Sequence, residues 1–291
     1  MAAVVQMTST ADVERNLASA EALVRRAAGL GARFVSLPEN FAFLRSEGEP
    51  VVEAQTLDGP WVRRLSGVAR ELGITLLLGS LPEKITGGLG DATHPPARGA
   101  SAGSIPARAK DHRVHNTSVL IGPDGATIAT YRKIHLFDID LPGMEHLKES
   151  QAVRPGEEAV VARAPFGDVG LTICYDVRFP ELYRALVRVG ARVLAIPSAF
   201  TERTGKDHWE VLLRARAVEN LAYVVAAAQV GAHGRGRASH GHAMIVDPWG
   251  IVVAQVPDGE GVALAELDFA RQDRLRRELP ALDHTRKFTV E

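Results

Sequence analysis

Hydrophobic positions along this chain alternate between two periods. Val13, Leu17, Ala20, Leu23, Val24 and Ala27 recur at helical spacing, and the run closes at Gly29-Leu30-Gly31. Short apolar stretches flank it: Ala3 to Met7 before, and Arg33 to Leu37 after, the second ending at Pro38-Glu39-Asn40. A helix is predicted over Gly59 to Leu72, stopped by Gly73, with an apolar strand from Ile74 to Ser80. Further on, strands are predicted over Gly167 to Tyr175, Ala191 to Ile196, Ala222 to Val230 and Val262 to Leu267. Helices are predicted over Pro180 to Val189, Lys206 to Asn220 and Phe269 to Leu279.

Two hairpins interrupt this alternation. Asn116 to Ile121 and Ala126 to Tyr131 flank Gly122-Pro123-Asp124-Gly125, while His242 to Val246 and Ile251 to Val256 flank Asp247-Pro248-Trp249-Gly250. The similar turns hint at an internal duplication. Helices interleaved with short strands, plus antiparallel hairpins, predict mixed sheets covered by helices. No shift of composition divides the chain, so residues 1–291 read as a single domain. Thr86 to Ala109 stands apart, rich in Gly, Ala, Pro and Ser and without periodicity. An insertion at about 86–110 reads either as a flexible surface segment or as an active-site lid.

Composition narrows the function. The 291 residues are 46% hydrophobic and 24% charged, with 34 Lys and Arg against 35 Asp and Glu, a net charge of -1. Such a composition excludes disorder and rod-like folds. Balanced charge argues against nucleic acid or an anionic membrane as partner. No apolar run approaches the roughly 20 residues of a membrane span. The first residues read as a strand rather than a secretory signal, and the expected location is cytoplasmic. The single cysteine excludes an intramolecular disulfide and any Cys-rich metal site. No metal and no organic cofactor is expected, and there is no Gly-rich phosphate loop.

That cysteine, Cys174, lies where an apolar strand gives way to a helix, in Ile173-Cys174-Tyr175-Asp176. Two readings stand: a buried core thiol, or a nucleophile at the C-terminal mouth of a strand. A nucleophilic thiol needs a base or a cation beside it. His208, His240 and His242 are candidates, each equally readable as a packing or surface histidine. Glu39 is another. A carboxylate just past a buried strand, in an apolar setting, has a raised pKa and can act as a base; alone, it also reads as a loop or capping carboxylate. Lys133 precedes the apolar loop Leu136-Phe137-Asp138-Ile139-Asp140 and is expected to be less exposed than most lysines.

Three blocks together carry a resemblance. Leu37-Pro38-Glu39-Asn40, Tyr131-Arg132-Lys133-Ile134-His135-Leu136-Phe137-Asp138 and Cys174-Tyr175-Asp176-Val177-Arg178-Phe179-Pro180-Glu181 resemble, in order, the signature blocks of the nitrilase superfamily of carbon–nitrogen hydrolases. The resemblance covers nearly the whole chain apart from the Thr86 to Ala109 segment. It implies an α/β fold, a four-layer αββα sandwich of two mixed β-sheets flanked by helices. It also implies Glu39 as general base, Lys133 as cationic stabiliser and Cys174 as nucleophile. The family's second glutamate falls at Glu149, with Glu145 a neighbouring competitor. No catalytic histidine is required.

The implied reaction is hydrolysis of the side-chain amide of a small 2-oxo acid through a thioester, releasing ammonia or amine. Pro197 to Thr201, the His208 to Ala217 stretch and Ala226-Ala227-Ala228-Gln229 resemble the branch acting on deaminated glutathione. The Leu136 to Asp140 loop and Glu149-Ser150 are shared with the branch acting on α-ketoglutaramate and α-ketosuccinamate. Nitrile or carbamoyl-amine hydrolysis would keep the same nucleophile, and an inactive scaffold is the non-enzymatic alternative. Tyr175, Arg178, Arg203 and Thr204 are candidates for holding the substrate carboxylate, Arg178 equally for a structural salt bridge. Gly234-Arg235-Gly236-Arg237 reads as a solvated basic loop. The family builds homodimers and higher homo-oligomers. The Pro180 to Val189 helix, with Phe179, Leu182, Leu186 and Val189 as its apolar stripe, faces either a partner copy or the core.

Overall fold

Strand β1 (Ala2–Met7) is buried along its length and divides its side chains between two cores. Ala2 and Val4 face one, and Ala3, Val5 and Met7 the other, as the two-residue period of a strand dictates. The computed structural model describes residues 1–46, 49–85, 112–140 and 147–290. The Thr86 to Ala109 segment and Glu145 lie outside these described residues.

From β1 the chain continues through α1 (Val13–Gly29), β2 (Phe34–Ser36), α2 (Pro60–Leu72), β3 (Thr75–Lys84), β4 (Val114–Ile121) and β5 (Thr127–Arg132). β1, β2 and β3 pair in parallel, and β4 and β5 extend the sheet antiparallel. The Asp12 side chain caps α1 by accepting the Arg15 N–H. Pro60 opens α2, and Gly73, at φ 60°, ends it. Leu17, Val24, Leu65 and Ala69 of the two helices pack on the outer face of this sheet.

After the short pair β6 (Asp138–Ile139) and β7 (Leu147–Lys148), β8 (Val160–Ala164) and β9 (Gly167–Leu171) lead into α3 (Pro180–Arg188), β10 (Val193–Ala195), α4 (Glu202–Asn220) and β11 (Tyr223–Ala226). β9, β10 and β11 are parallel neighbours. β12 (Ala228–Gly234) and β13 (Arg237–His240) then join the first sheet, where β12 runs parallel to β1. β14 (Met244–Val246) and β15 (Val252–Gln255) return to β11 as an antiparallel pair. β16 (Gly261–Ala265) pairs antiparallel with β1, and α5 (Phe269–Glu278) follows.

The inner faces of the two sheets share one core: Val4, Leu77 and Leu120 from the first meet Leu171, Leu194 and Val224 from the second. Leu186 of α3 and Trp209 and Leu213 of α4 belong to the same cluster. This is the αββα sandwich of two mixed sheets expected from the sequence. The order β1-α1-β2-α2-β3-β4-β5 recurs as β9-α3-β10-α4-β11-β14-β15, with the same strand senses. The two similar hairpin turns fall at matching places, each at a sheet edge.

Several elements differ from the sequence expectation for identifiable reasons. The apolar run Ala222 to Val230 is two strands in two sheets, because the chain crosses between layers at Ala227, where only small side chains fit. α4 begins at Glu202 rather than Lys206; Gly205 obscured its first turn, yet Gly205 is where the His240 side chain packs too closely for a Cβ. The strand leading to Cys174 ends at Leu171. β13 has no alternation to reveal it, since Arg-Ala-Ser-His is half-buried against the α4 start. The α3 stripe of Leu182, Leu186 and Val187 faces the core, leaving only Val189 exposed.

β12 also buries a titratable group. His233 is 2% exposed, and its Nδ1 donates to the Ser9 carbonyl at 2.8 Å. Burial pulls its pKa down to about 4. An unfolded histidine takes a proton below about 6.5, so between these values the unfolded chain binds more protons and stability falls as pH drops. Denaturant melts at pH 7, 5.5 and 4.5 will show this decline, by roughly 2–3 kcal/mol in total. His233→Gln will flatten the pH dependence whatever its effect at pH 7.

Candidate active site

Glu39 follows β2, Lys133 follows β5, and Cys174 opens a 3-10 turn, Cys174–Arg178, just beyond β9. β2 and β9 belong to different sheets, so the site forms where the ends of two facing sheets meet. Gly79 of β3 makes this possible for Glu39: any Cβ there would collide with the Leu37 and Pro38 backbone. Asn40 and Cys174 have φ of 57° and 47°, in the left-handed region that residues other than glycine rarely adopt. At Cys174 this conformation is held by its own N–H, which donates to the Pro197 carbonyl at 2.9 Å.

Lys133 is only 2% exposed. Its ammonium donates to Glu39 Oε1 at 3.0 Å and to Glu149 Oε1 and Oε2 at 3.1 and 2.9 Å. Three carboxylate oxygens thus lie within hydrogen-bond distance of the ammonium, the two of Glu149 close enough together to share one N–H. Asn116 Nδ2 donates to Glu39 Oε1 at 2.9 Å and to Glu149 Oε1 at 3.3 Å. The Ala199 N–H donates to Glu39 Oε2 at 2.8 Å, and the Phe137 N–H to Glu149 Oε2 at 2.7 Å. The Cys174 thiol and the Glu39 carboxylate share this cavity wall and interact electrostatically. Because Oε1 already holds two of these donors, Oε2 is the oxygen with a lone pair left for the thiol proton.

Burial pushes the Glu39 carboxyl up, but the Lys133 charge, together with hydrogen bonds from Lys133 and Ala199, holds it below the ordinary carboxylate range. This corrects the sequence expectation of a raised pKa, which took the surroundings as apolar and omitted the ammonium. Burial works against the Lys133 charge, and Glu149 and Glu39 outweigh it, so the lysine remains a cation. Burial and the Glu39 charge push the Cys174 thiol well up, beyond what Lys133 offsets. The resting cluster is therefore carboxylate, ammonium and thiol, an arrangement that can pass a proton from sulfur to Glu39 as sulfur attacks a carbon.

Asp176 ties the lysine segment to the cysteine turn. Wholly buried, it accepts from Tyr131 Oη at 2.7 Å, Ile173 N–H at 2.8 Å, His135 N–H at 3.0 Å and His135 Nδ1 at 2.7 Å. Tyr131 and His135 bracket Lys133, and Ile173 precedes Cys174, so one carboxylate sets the separation of the two. The His135 ring stacks on Phe179 with centroids 3.6 Å apart.

A cavity of about 290 Å³ opens from this cluster. Glu39, Lys133, Glu149 and Cys174 line it together with Tyr175, Arg203 and Thr204. Arg178 does not line it: its guanidinium lies over the Tyr175 and Phe200 rings and meets His208 Nδ1 at 3.3 Å. It braces the wall from behind the Tyr175 and Phe200 rings, both of which line the cavity. His208, His240 and His242 also stand off the cavity, whereas Gly236 and Arg237 line it. The Gly234 to Gly236 part of the basic loop is exposed, as expected, and Arg237 is half-buried. Sequence reading missed Asn116, Arg45 and the Ala199 N–H. The first two sit in segments with no chemical signal of their own, and the last is a backbone group.

The carbon–nitrogen hydrolase family model matches residues 1–277. A Synechocystis protein named deaminated glutathione amidase is 43% identical over 286 residues, 98% of this chain and 97% of that protein. The human protein of the same name is 43% identical over 289 residues, covering 98% of this chain and 82% of its own. Among solved structures, the Caenorhabditis elegans NitFhit protein superposes with a TM-score of 0.82 at 39% identity; the match covers 98% of this chain but 64% of that protein. Saccharomyces cerevisiae Nit3, a member of branch 10 of the nitrilase superfamily, gives a TM-score of 0.76 at 31% identity, covering 96% of this chain and 93% of that one.

The Asp176 contacts predict a graded loss of stability. Tyr131→Phe removes one buried hydrogen bond and is expected to cost about 1 kcal/mol. Asp176→Asn removes the charge and turns an acceptor into a donor facing donors, for roughly 3 kcal/mol. Urea denaturation at pH 7 measures both, and equal losses would show that Asp176 carries no more than its tyrosine contact.

Proposed function

The chain belongs to the carbon–nitrogen hydrolase family, and we propose that it is an amidase cleaving the side-chain amide of a small 2-oxo acid, deaminated glutathione first. The observation that carries this reading is the buried cluster of Glu39, Lys133 and Cys174 at one end of a cavity whose wall also holds Arg45, Arg203 and Arg237. The names of the Synechocystis and human relatives support the substrate. Deaminated glutathione carries two carboxylates, and arginines are the residues best suited to planar carboxylate recognition.

In this mechanism Glu39 Oε2 takes the Cys174 proton as sulfur attacks the amide carbonyl. The developing oxyanion is stabilised by the Tyr175 N–H, at the start of a 3-10 turn whose first amides lack intrahelical partners, and by the Lys133 charge. With one N–H on Glu39 and one shared by the two Glu149 oxygens, the ammonium keeps a third for direct donation. Glu39 returns the proton to the departing nitrogen, and ammonia leaves. Glu39 then takes a proton from water, which opens the thioester and restores the thiol. Glu149 acts on Lys133, holding it in place and cationic. Tyr175, Arg203 and Thr204 contact the substrate, joined by Arg45 and Arg237. No step calls for a cofactor.

The reading also includes a homodimer or larger assembly of like chains in the cytoplasm. Val211 and Val218 of α4 are exposed, and the Trp249 and Ile251 turn, also exposed, abuts Val218 and Arg214. Exposed apolar side chains around this turn support an assembly, and sedimentation is expected to give at least twice the 31.3 kDa of the chain. No helix among the described residues is long and apolar enough to cross a membrane.

Cys174→Ala is expected to lower ammonia release from deaminated glutathione by about a thousandfold or more while leaving circular dichroism unchanged. Persistent turnover in that variant would overturn the assignment. Side by side, deaminated glutathione should exceed α-ketoglutaramate in kcat/KM by about tenfold or more. The reverse order would assign the smaller amide.

A further inference from the structure

Asn116 is buried to 5% exposure, on β4 opposite Pro82 of β3. Its side chain divides unevenly. Nδ2 bridges Glu39 Oε1 and Glu149 Oε1, at 2.9 and 3.3 Å. Oδ1 is buried and has no partner among the described residues. Its backbone carbonyl accepts the Lys133 N–H at 2.9 Å. The amide orientation follows from chemistry: ionised carboxylates only accept, so the NH2 end must face them. Leaving a buried carbonyl unpaired is costly, and a residue kept solely for packing would not require it.

We infer that Asn116 is a positioning residue of the hydrolase, a neutral donor that holds the base Glu39 and its companion Glu149 together in their ionised forms. Lys133 bridges the same two Oε1 atoms. The two glutamates and one lysine sum to a net charge of -1, so the lysine alone leaves two like charges undercompensated. A second cation would be the obvious remedy, but it would stabilise the thiolate and weaken the pull of Glu39 on the thiol proton. A neutral amide supplies the second donor without altering the charge. It also fixes which Glu39 oxygen is free: with Asn116 and Lys133 on Oε1, the thiol proton goes to Oε2, beside the Ala199 N–H. The inference rests on Glu39 acting as the base.

Two substitutions separate positioning from packing. Asn116→Ser shortens the side chain so that it no longer reaches both glutamates. The acid limb of kcat/KM, which belongs to the coupled cluster as a whole, should then move up by about one pH unit. Asn116→Asp keeps the shape. Protonated, it still donates one hydrogen bond; ionised, it adds a third negative charge. Its activity should therefore be best at the acid end and fall about tenfold per pH unit above its own pKa, a new alkaline limb that the parent lacks. Iodoacetamide labelling of Cys174 across the same pH range gives a second readout independent of substrate, and it should slow in Asn116→Asp as the pH rises. Circular dichroism reports whether each variant folds, and the isosteric Asn116→Asp keeps the test available if Asn116→Ser does not. Loss by one constant factor at every pH, or no loss in either variant, overturns the inference. Activity surviving in Cys174→Ala would instead overturn the underlying catalytic reading.

Discussion

One ammonium group holds two carboxylates out of water, and the rest of the site is arranged around that constraint. Lys133, Glu39 and Glu149 are 2%, 4% and 17% exposed at the side chain. Removing such ions from water costs several kcal/mol each, which a pair recovers only with good geometry and further hydrogen bonds. Here the lysine ammonium, two backbone N–H groups and Asn116 provide them. The same charges decide the chemistry. Glu39 is held ionised and Cys174 is held as a thiol, so the resting site stores no free thiolate. In the proposed mechanism, proton transfer becomes favourable when a carbonyl oxygen arrives to take up negative charge beside Lys133. A thiol kept protonated until then reacts more slowly with electrophiles and oxidants than a standing thiolate does.

The scaffold meets the constraint by bringing matching parts of its two halves together. Leu37-Pro38-Glu39-Asn40-Phe41 follows β2, and Ile196-Pro197-Ser198-Ala199-Phe200 follows β10, the strand in the equivalent place. The first supplies the carboxylate and the second the N–H that Glu39 Oε2 accepts. Pro197 also receives the Cys174 N–H through its carbonyl. A hydrogen-bonded backbone at this junction suits a site that must keep a strained φ at its cysteine, because two packed sheets resist the relaxation that a loop would permit.

What was legible in the sequence follows from the range over which each signal acts. The alternation of period in the first half marked α1, β2, α2 and β3 to within a few residues, because each buries one face against one layer. Ala222 to Val230 was read as one strand since burial on both sides erases periodicity, and nothing local records that the chain changes sheets there. The Glu39, Lys133 and Cys174 blocks were legible as blocks. Their surroundings were not: the direction of the Glu39 pKa shift depends on an ammonium 94 positions away in sequence. Asn116 sits in an ordinary strand, and its role exists only through the glutamates that the fold delivers to it. Arg178 had two readings in the sequence, substrate holding or a structural contact, and its place over the Phe200 ring depends on a residue the sequence does not link to it.

The charge layout of the cavity also sets the direction in which a substrate enters. Arg203 lies at the exposed start of α4, and Arg45 and Arg237 are half-buried. The other end, with Glu39, Glu149 and Lys133, sums to a net charge of -1 and is nearly dry. For the dianionic substrate proposed above, the arginines, with Lys148, outweigh Glu202 at the first region, and the second repels it more strongly as water is excluded. The neutral carboxamide is the one polar part of such a molecule that can advance to Cys174 without that penalty. The arginines and the net negative cluster therefore act together: the first draws in the carboxylates, and the second keeps them from the reacting end, so that the amide is presented to the thiol. A substrate with a carboxylate in place of the amide, which is the product of the reaction, would meet the same repulsion, and the site is thereby arranged to release it.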